Sequence, residues 1–125
     1  MKKIISTEKA PGAIGPYSQG IVSCGMVFTS GQLPIDMTNG DLETKDIRKA
    51  AKHSMDNVKA VLEASGSSLD KVVKTTVFLT DLADFAAVNE VYGSYFPNDP
   101  PARSCVQVAA LPRGASVEIE AVAEL

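Results

Sequence analysis

The sequence predicts an α+β fold: a single mixed β-sheet with two helices packed on one face. Three observations predict it. Val72-Val73-Lys74-Thr75-Thr76-Val77-Phe78-Leu79-Thr80 is rich in β-branched residues and has no Gly or Pro, which marks a strand. Ile47, Ala51, Met55, Val58 and Leu62 recur at helical spacing, as do Phe85, Val88, Val91 or Tyr92, and Tyr95. Short alternating segments occupy both ends of the chain, so two helical stripes have one sheet to bury against. The 125 residues are read as one domain, 1–125, without repeats or a boundary.

Taken in order, Lys3-Ile4-Ile5-Ser6 is a short first strand. Ala10 to Pro16 follows as a loop, its two prolines and two glycines marking turns. Tyr17–Ser23 and Met26–Gly31 form a hairpin around Cys24-Gly25, with Ser23 opposite Met26. That pairing puts Tyr17, Gln19 and Ser30 on one face and leaves Gly31 where another group can approach closely. Thr38-Asn39-Gly40-Asp41 reads as a turn. Thr44 is expected to cap the first helix, Asp46 to sit in its first turn and Gly66 to end it. His53, the only histidine, lies off the apolar stripe and reads as an exposed helix residue. Asp81 and Asp84 offer caps for the second helix, and Pro97 ends it. The last two strands, Arg103–Val108 and Val117–Val122, are expected to pair around Leu111–Ala115. The second sheet face then has no cover from this chain, which points to oligomerisation.

Composition excludes several classes. Hydrophobic residues make up 45% and charged residues 22%, as in a folded soluble protein. A net charge of −3 supplies no basic footprint, so a nucleic-acid partner is not expected. No apolar run spans a membrane or forms a signal peptide, and two cysteines make no disulfide framework; a reducing cytoplasm is expected. Neither a phosphate-binding glycine loop nor a metal-ligand cluster occurs, so no metal or cofactor is expected. Lacking a nearby histidine, Cys105 is a poor nucleophile.

What remains is Arg103 and Glu120. In the expected hairpin Val106 faces Ile119, Cys105 faces Glu120, and Arg103 reaches Glu120 along the diagonal. A guanidinium holds a carboxylate through two parallel hydrogen bonds, and a carboxylate beside it can position a water. The same spacing also describes an ordinary cross-strand ion pair. Tyr17 and Ser30, taken singly, fit a half-buried aromatic and a strand hydroxyl bonded to backbone.

Several motifs in order resemble the RidA (YjgF) family of reactive intermediate (imine) deaminases. They are Gly15-Pro16-Tyr17-Ser18-Gln19-Gly20, Thr29-Ser30-Gly31-Gln32, Pro101-Ala102-Arg103-Ser104-Cys105-Val106 and Val117-Glu118-Ile119-Glu120-Ala121. Asp56–Val61 and Val73–Phe78 match as well. The resemblance implies a fold like the Bacillus-type chorismate mutase, as a homotrimer whose sheets face inward as a central barrel. It implies cofactor-independent hydrolysis of 2-iminobutanoate and 2-iminopropanoate, released by pyridoxal-phosphate enzymes, to 2-keto acid and ammonia. Carried over by residue, Arg103 binds the carboxylate and Glu120 positions the water. Cys105 contributes backbone, and Tyr17, Ser30 and Gly31 line a cleft between subunits. Gln107, Ala110 and Ala50 depart from frequent family choices, which bears on specificity. The alternatives from other classes are a regulatory trimer that binds 2-keto acids without turnover, and a translation-inhibiting endoribonuclease.

Overall fold

A computed structural model describes residues 1–125. The chain runs β1 (Lys3–Ile5), β2 (Gly20–Ser23), β3 (Met26–Thr29), β4 (Ile35–Asp36), β5 (Asp41–Leu42) and α1 (Ile47–Ala64). It continues through β6 (Val72–Leu79), α2 (Phe85–Tyr95), β7 (Ala102–Gln107) and β8 (Val117–Glu124). Six strands form one mixed sheet in the order β1-β2-β3-β8-β6-β7, and β4 and β5 form a separate small hairpin. The two helices cover one face, as expected from the two stripes. Ala51, Met55, Val58 and Leu62 of α1 and Val88 and Tyr92 of α2 share one core with Val27, Val77, Leu79, Val117, Ile119 and Ala121.

Local chemistry sets the element ends. At the β2–β3 turn Cys24 and Gly25 both take positive φ, 52° and 73°, the geometry of a two-residue hairpin that twists with its strands. Ser23 pairs with Met26 as expected, but the strands stop at Gly20 and Thr29 rather than reaching Tyr17 and Gly31. Helix α1 is capped by Asp46, not Thr44. The Asp46 carboxylate accepts from the backbone amides of Arg48 and Lys49 at 2.9 and 3.2 Å, a charged cap where the helix dipole is positive. Gly66, at φ 87°, reverses the chain after Ala64, and the Ser67 amide reaches back to the Leu62 carbonyl at 2.9 Å. His53 is less exposed than its position suggests: its Nε2 lies 3.8 Å from Asp36 Oδ2, linking α1 to the β4–β5 hairpin. Asn57, also on α1, is buried and donates to the carbonyls of Leu33 and Ile35 at 3.1 and 3.0 Å.

The C-terminal strands differ from the expected hairpin. β7 pairs parallel to β6, with Thr75 beside Arg103 and Val77 beside Cys105. β8 enters between β3 and β6, pairing antiparallel to both. The crossover helix α2 explains the parallel pair, since parallel neighbours need a connection longer than a turn. β8 alternates Val117, Ile119, Ala121 and Ala123 inward, all buried, and so suits the centre of the sheet. β7 is left at the edge, where Ala102, Ser104, Val106 and Gln107 are exposed.

On the face away from the helices an apolar row crosses four strands: Ile4 beside Ile21, Ile21 beside Phe28, Phe28 beside Val122. Ile4, Phe28 and, farther along, Val106 are exposed. Nothing in this chain covers them.

Candidate active site

Two groups of polar side chains stand out, and the sheet separates them. The first is a cleft of about 470 Å³ whose lining includes Ile14, Tyr17, Ser30, Gly31, Arg113 and Glu118. Its loop wall is pinned from inside by Gln19, which is buried. The Gln19 side chain accepts from the Thr7 amide at 2.6 Å and donates to the carbonyls of Thr7, Ala10 and Pro11 at 3.0, 3.2 and 2.7 Å. A loop with two prolines has few backbone bonds of its own, so this one amide fixes its course. Ser30 donates its hydroxyl to the Ser18 carbonyl at 2.5 Å, and its amide bonds the Gln19 carbonyl at 2.9 Å. Its side chain therefore holds the cleft wall. Tyr17 is half exposed at the mouth.

Glu118 forms the cleft floor against Gly31. A Cβ at Gly31 would lie 2.6 Å from Glu118 Oε1 and 2.7 Å from its Cδ, so only glycine admits the carboxylate there. The strand is irregular just here. From Phe28 to Gln32 the chain advances four residues, while its partner advances three, from Val122 to Ile119. The extra residue leaves Thr29-Ser30-Gly31 without regular partners on β8, and the long Glu118 side chain reaches along the strand to lie against Gly31. Partial burial pushes the Glu118 carboxyl above the usual carboxylate range, and the charge of Glu120 adds to the rise.

Gly31→Ala is expected to displace the carboxylate while leaving the fold intact, because Gly31 has no positive φ and the clashing atoms end a flexible side chain. Misplacing a reacting group by about 1 Å costs roughly 10²-fold in rate. Parallel measurements of turnover and thermal midpoint should therefore show a large loss in the first and almost none in the second.

The second group is on β7. Arg103 and Cys105 lie beside Thr75 and Val77, whose β8 partners are Ala121 and Ile119; this is the helix face. Arg103 donates from NH1 to Asn89 Oδ1 at 2.6 Å, and its guanidinium carbon lies 4.9 Å from the Tyr92 ring centre. Cys105 packs against the core. Burial raises its thiol above the ordinary range, with Arg103 pulling the other way, so at neutral pH the thiol is protonated.

The expected convergence of Arg103 and Glu120 on one face therefore does not occur within a chain. β6 lies between their strands, and the alternation of β8 turns Glu118 and Glu120 to the open face while Arg103 takes the helix face. Of the two glutamates it is Glu118 that enters the cleft with Tyr17, Ser30 and Gly31; Glu120 stands beside Thr76. Sequence reasoning also missed Asn89, Arg113 and Gln19. Only Gln19 carried a signal, an amide inside a strongly matched motif beside a proline-rich loop. No group of three or more His, Cys, Asp or Glu side chains is arranged to hold a metal ion.

A mixed sheet backed by two helices, with a carboxylate seated against glycine in a cleft that Tyr17 also lines, defines a small α+β protein with a polar cleft on its open sheet face. The profile of the family described as Endoribonuclease L-PSP matches residues 7–125. The 2-iminobutanoate/2-iminopropanoate deaminase of Escherichia coli K12 is 49% identical over 98% of this chain and 98% of its own length. The crystal structure of E. coli TdcF with bound serine is 50% identical, with a TM-score of 0.94 over 98% of each chain. RidA from the Antarctic bacterium Psychrobacter sp. PAMC 21119 is 45% identical, with a TM-score of 0.93 over 98% of this chain and 99% of that one. The chain belongs to this L-PSP family, among the RidA reactive intermediate deaminases. No helix is long and apolar enough to cross a membrane.

Proposed function

We propose that the protein hydrolyses 2-imino acids, 2-iminobutanoate and 2-iminopropanoate among them, to 2-keto acid and ammonia without a cofactor. The cleft that seats Glu118 on Gly31 carries this reading. A partly buried carboxylate with a raised pKa, unpaired to any cation of its own chain, suits proton transfer better than structure. Three copies packed through their open sheet faces would cover the row Ile4–Ile21–Phe28–Val122. They would also bring Arg103 and Cys105 of one copy to the Tyr17–Ser30–Gly31–Glu118 cleft of the next.

The chemistry is then short. Arg103 binds the substrate carboxylate through paired hydrogen bonds and fixes the iminium carbon. Glu118 accepts a proton from water as its oxygen bonds to that carbon, giving a carbinolamine. Glu118 returns its proton to nitrogen and takes the hydroxyl proton as the C–N bond breaks, which closes the 2-keto acid carbonyl; the departing ammonia carries that proton away as ammonium. The iminium is already electrophilic, so orientation and one proton acceptor suffice.

The assay is competition for nascent imine. A threonine dehydratase generates it, semicarbazide traps it, and added protein diverts it. Wild type is expected to suppress semicarbazone formation, and Arg103→Ala to lose roughly 10²-fold or more of that effect, since a charge-assisted pair is removed. Undiminished trapping with wild type across several amino-acid precursors would leave a keto-acid-binding role in its place.

A further inference from the structure

Arg103 is gripped on its protein side before any ligand arrives. NH1 is committed to Asn89 Oδ1, and the guanidinium lies 4.9 Å from the Tyr92 ring centre and 5.5 Å from that of Phe85. Phe85, Asn89 and Tyr92 follow at helical spacing, so one face of α2 builds the whole seat. The Tyr92 ring is held in turn. Its hydroxyl shares a hydrogen bond of 2.6 Å with Thr75 Oγ1, and both residues are buried, at 6% and 1% exposure. Thr75 is also the neighbour of Arg103 across the β6–β7 ladder. The loop closes: Arg103 to Tyr92 to Thr75 and back through the sheet.

A buried hydroxyl pair is an unneeded choice for stability. Phe and Val would fill the same volume without any polar group to satisfy. What the pair adds is orientation, because it fixes the ring on which the guanidinium lies. We propose that Tyr92, anchored by Thr75, is a positioning residue for Arg103. It holds the guanidinium plane so that the edge not bonded to Asn89 meets the substrate carboxylate in register. The proposal rests on reading Arg103 as the carboxylate-binding residue. A two-pronged contact needs the plane set as well as the charge present, and a side chain already ordered loses less entropy on binding. Ground state and transition state both carry the carboxylate, so the effect belongs to KM and not to kcat.

The test measures KM and kcat together with calorimetric binding of 2-ketobutanoate, on the full chain, with melting curves alongside. Tyr92→Leu removes the ring face and is expected to raise KM and Kd about tenfold, with kcat within about twofold of wild type. In an Arg103→Ala background the same change should add nothing. Thr75→Val/Tyr92→Phe removes both hydroxyls, keeps the ring and leaves no unpaired polar group. It should melt no lower than wild type, yet raise KM about threefold. A core role alone would move the melting curve and leave KM where it was. Should Tyr92→Leu not fold, the double variant decides. An unchanged KM and Kd in a folded variant overturns the positioning role while Arg103 keeps its own. If instead Arg103→Ala binds 2-ketobutanoate as wild type does, the reading of Arg103 falls and the positioning role with it.

Discussion

Glu118→Gln is expected to lower imine hydrolysis by roughly 10²–10⁴-fold, the usual contribution of a positioned acid–base group. Affinity for 2-ketobutanoate should stay close to wild type, because the amide keeps the size of the side chain and removes a charge that opposes an anion. The pH profile gives an independent sign. Burial and the charge of Glu120 raise the Glu118 pKa, so the ionised base forms only as pH climbs past the ordinary carboxylate range, and activity rises there. Glu120→Gln removes the smaller of the two causes and should move that limb to lower pH with little loss at its plateau. Stability follows the same linkage. A carboxyl whose pKa is higher in the folded state favours folding while protonated, and this contribution is lost as pH rises through the folded value. Glu118→Gln should therefore be no less stable than wild type near neutrality. Full activity in Glu118→Gln with loss in Glu120→Gln would return the role to Glu120.

Ile119→Ala should produce the largest loss of stability, roughly 2–5 kcal/mol. Ile119 is fully buried at the centre of the sheet, beside Val77 on one strand. Its backbone also exchanges two hydrogen bonds with Gln32, amide to carbonyl at 3.2 Å and carbonyl to amide at 2.7 Å. The cavity would open directly behind the strand that carries Glu118. Ile119→Val removes one methylene and should cost only about 1 kcal/mol. Urea denaturation at one fixed protein concentration checks both; equal midpoints for Ala and Val would mean that the core collapses into the space.

Much of the fold was legible because its signals are local. The stripe Ala51–Met55–Val58–Leu62 reads as one helix face, Cys24-Gly25 as a tight turn although Cys is a poor residue for positive φ, and Val72–Thr80 as a strand. Cap choice turned on two residues of distance: Thr44 and Asp46 are both good caps, and the charged one wins at the helix dipole. Pairing of β7 and β8 was not legible. A short connection favours a hairpin, and the competing parallel pair depends on where α2 docks, which is a tertiary fact. The site divides along the same line. The motifs singled out Tyr17, Ser30, Gly31 and Arg103, and the first three meet in one cleft. Alternation leaves Glu118 and Glu120 on the same face, so period two cannot choose between them. The choice is made by which side chain lies against Gly31 in the cleft, a tertiary contact that leaves no trace in sequence.

The separation of Arg103 from Glu118 by the thickness of the sheet limits how copies of this chain can meet. A two-fold contact is self-complementary, so its patch would have to include both faces of the sheet to match the two groups. A head-to-tail contact needs one face from each copy, and a single such pair would leave an arginine at one end and a glutamate at the other without a mate. In a closed ring neither would be left over, and every copy would take part in two sites while owning none.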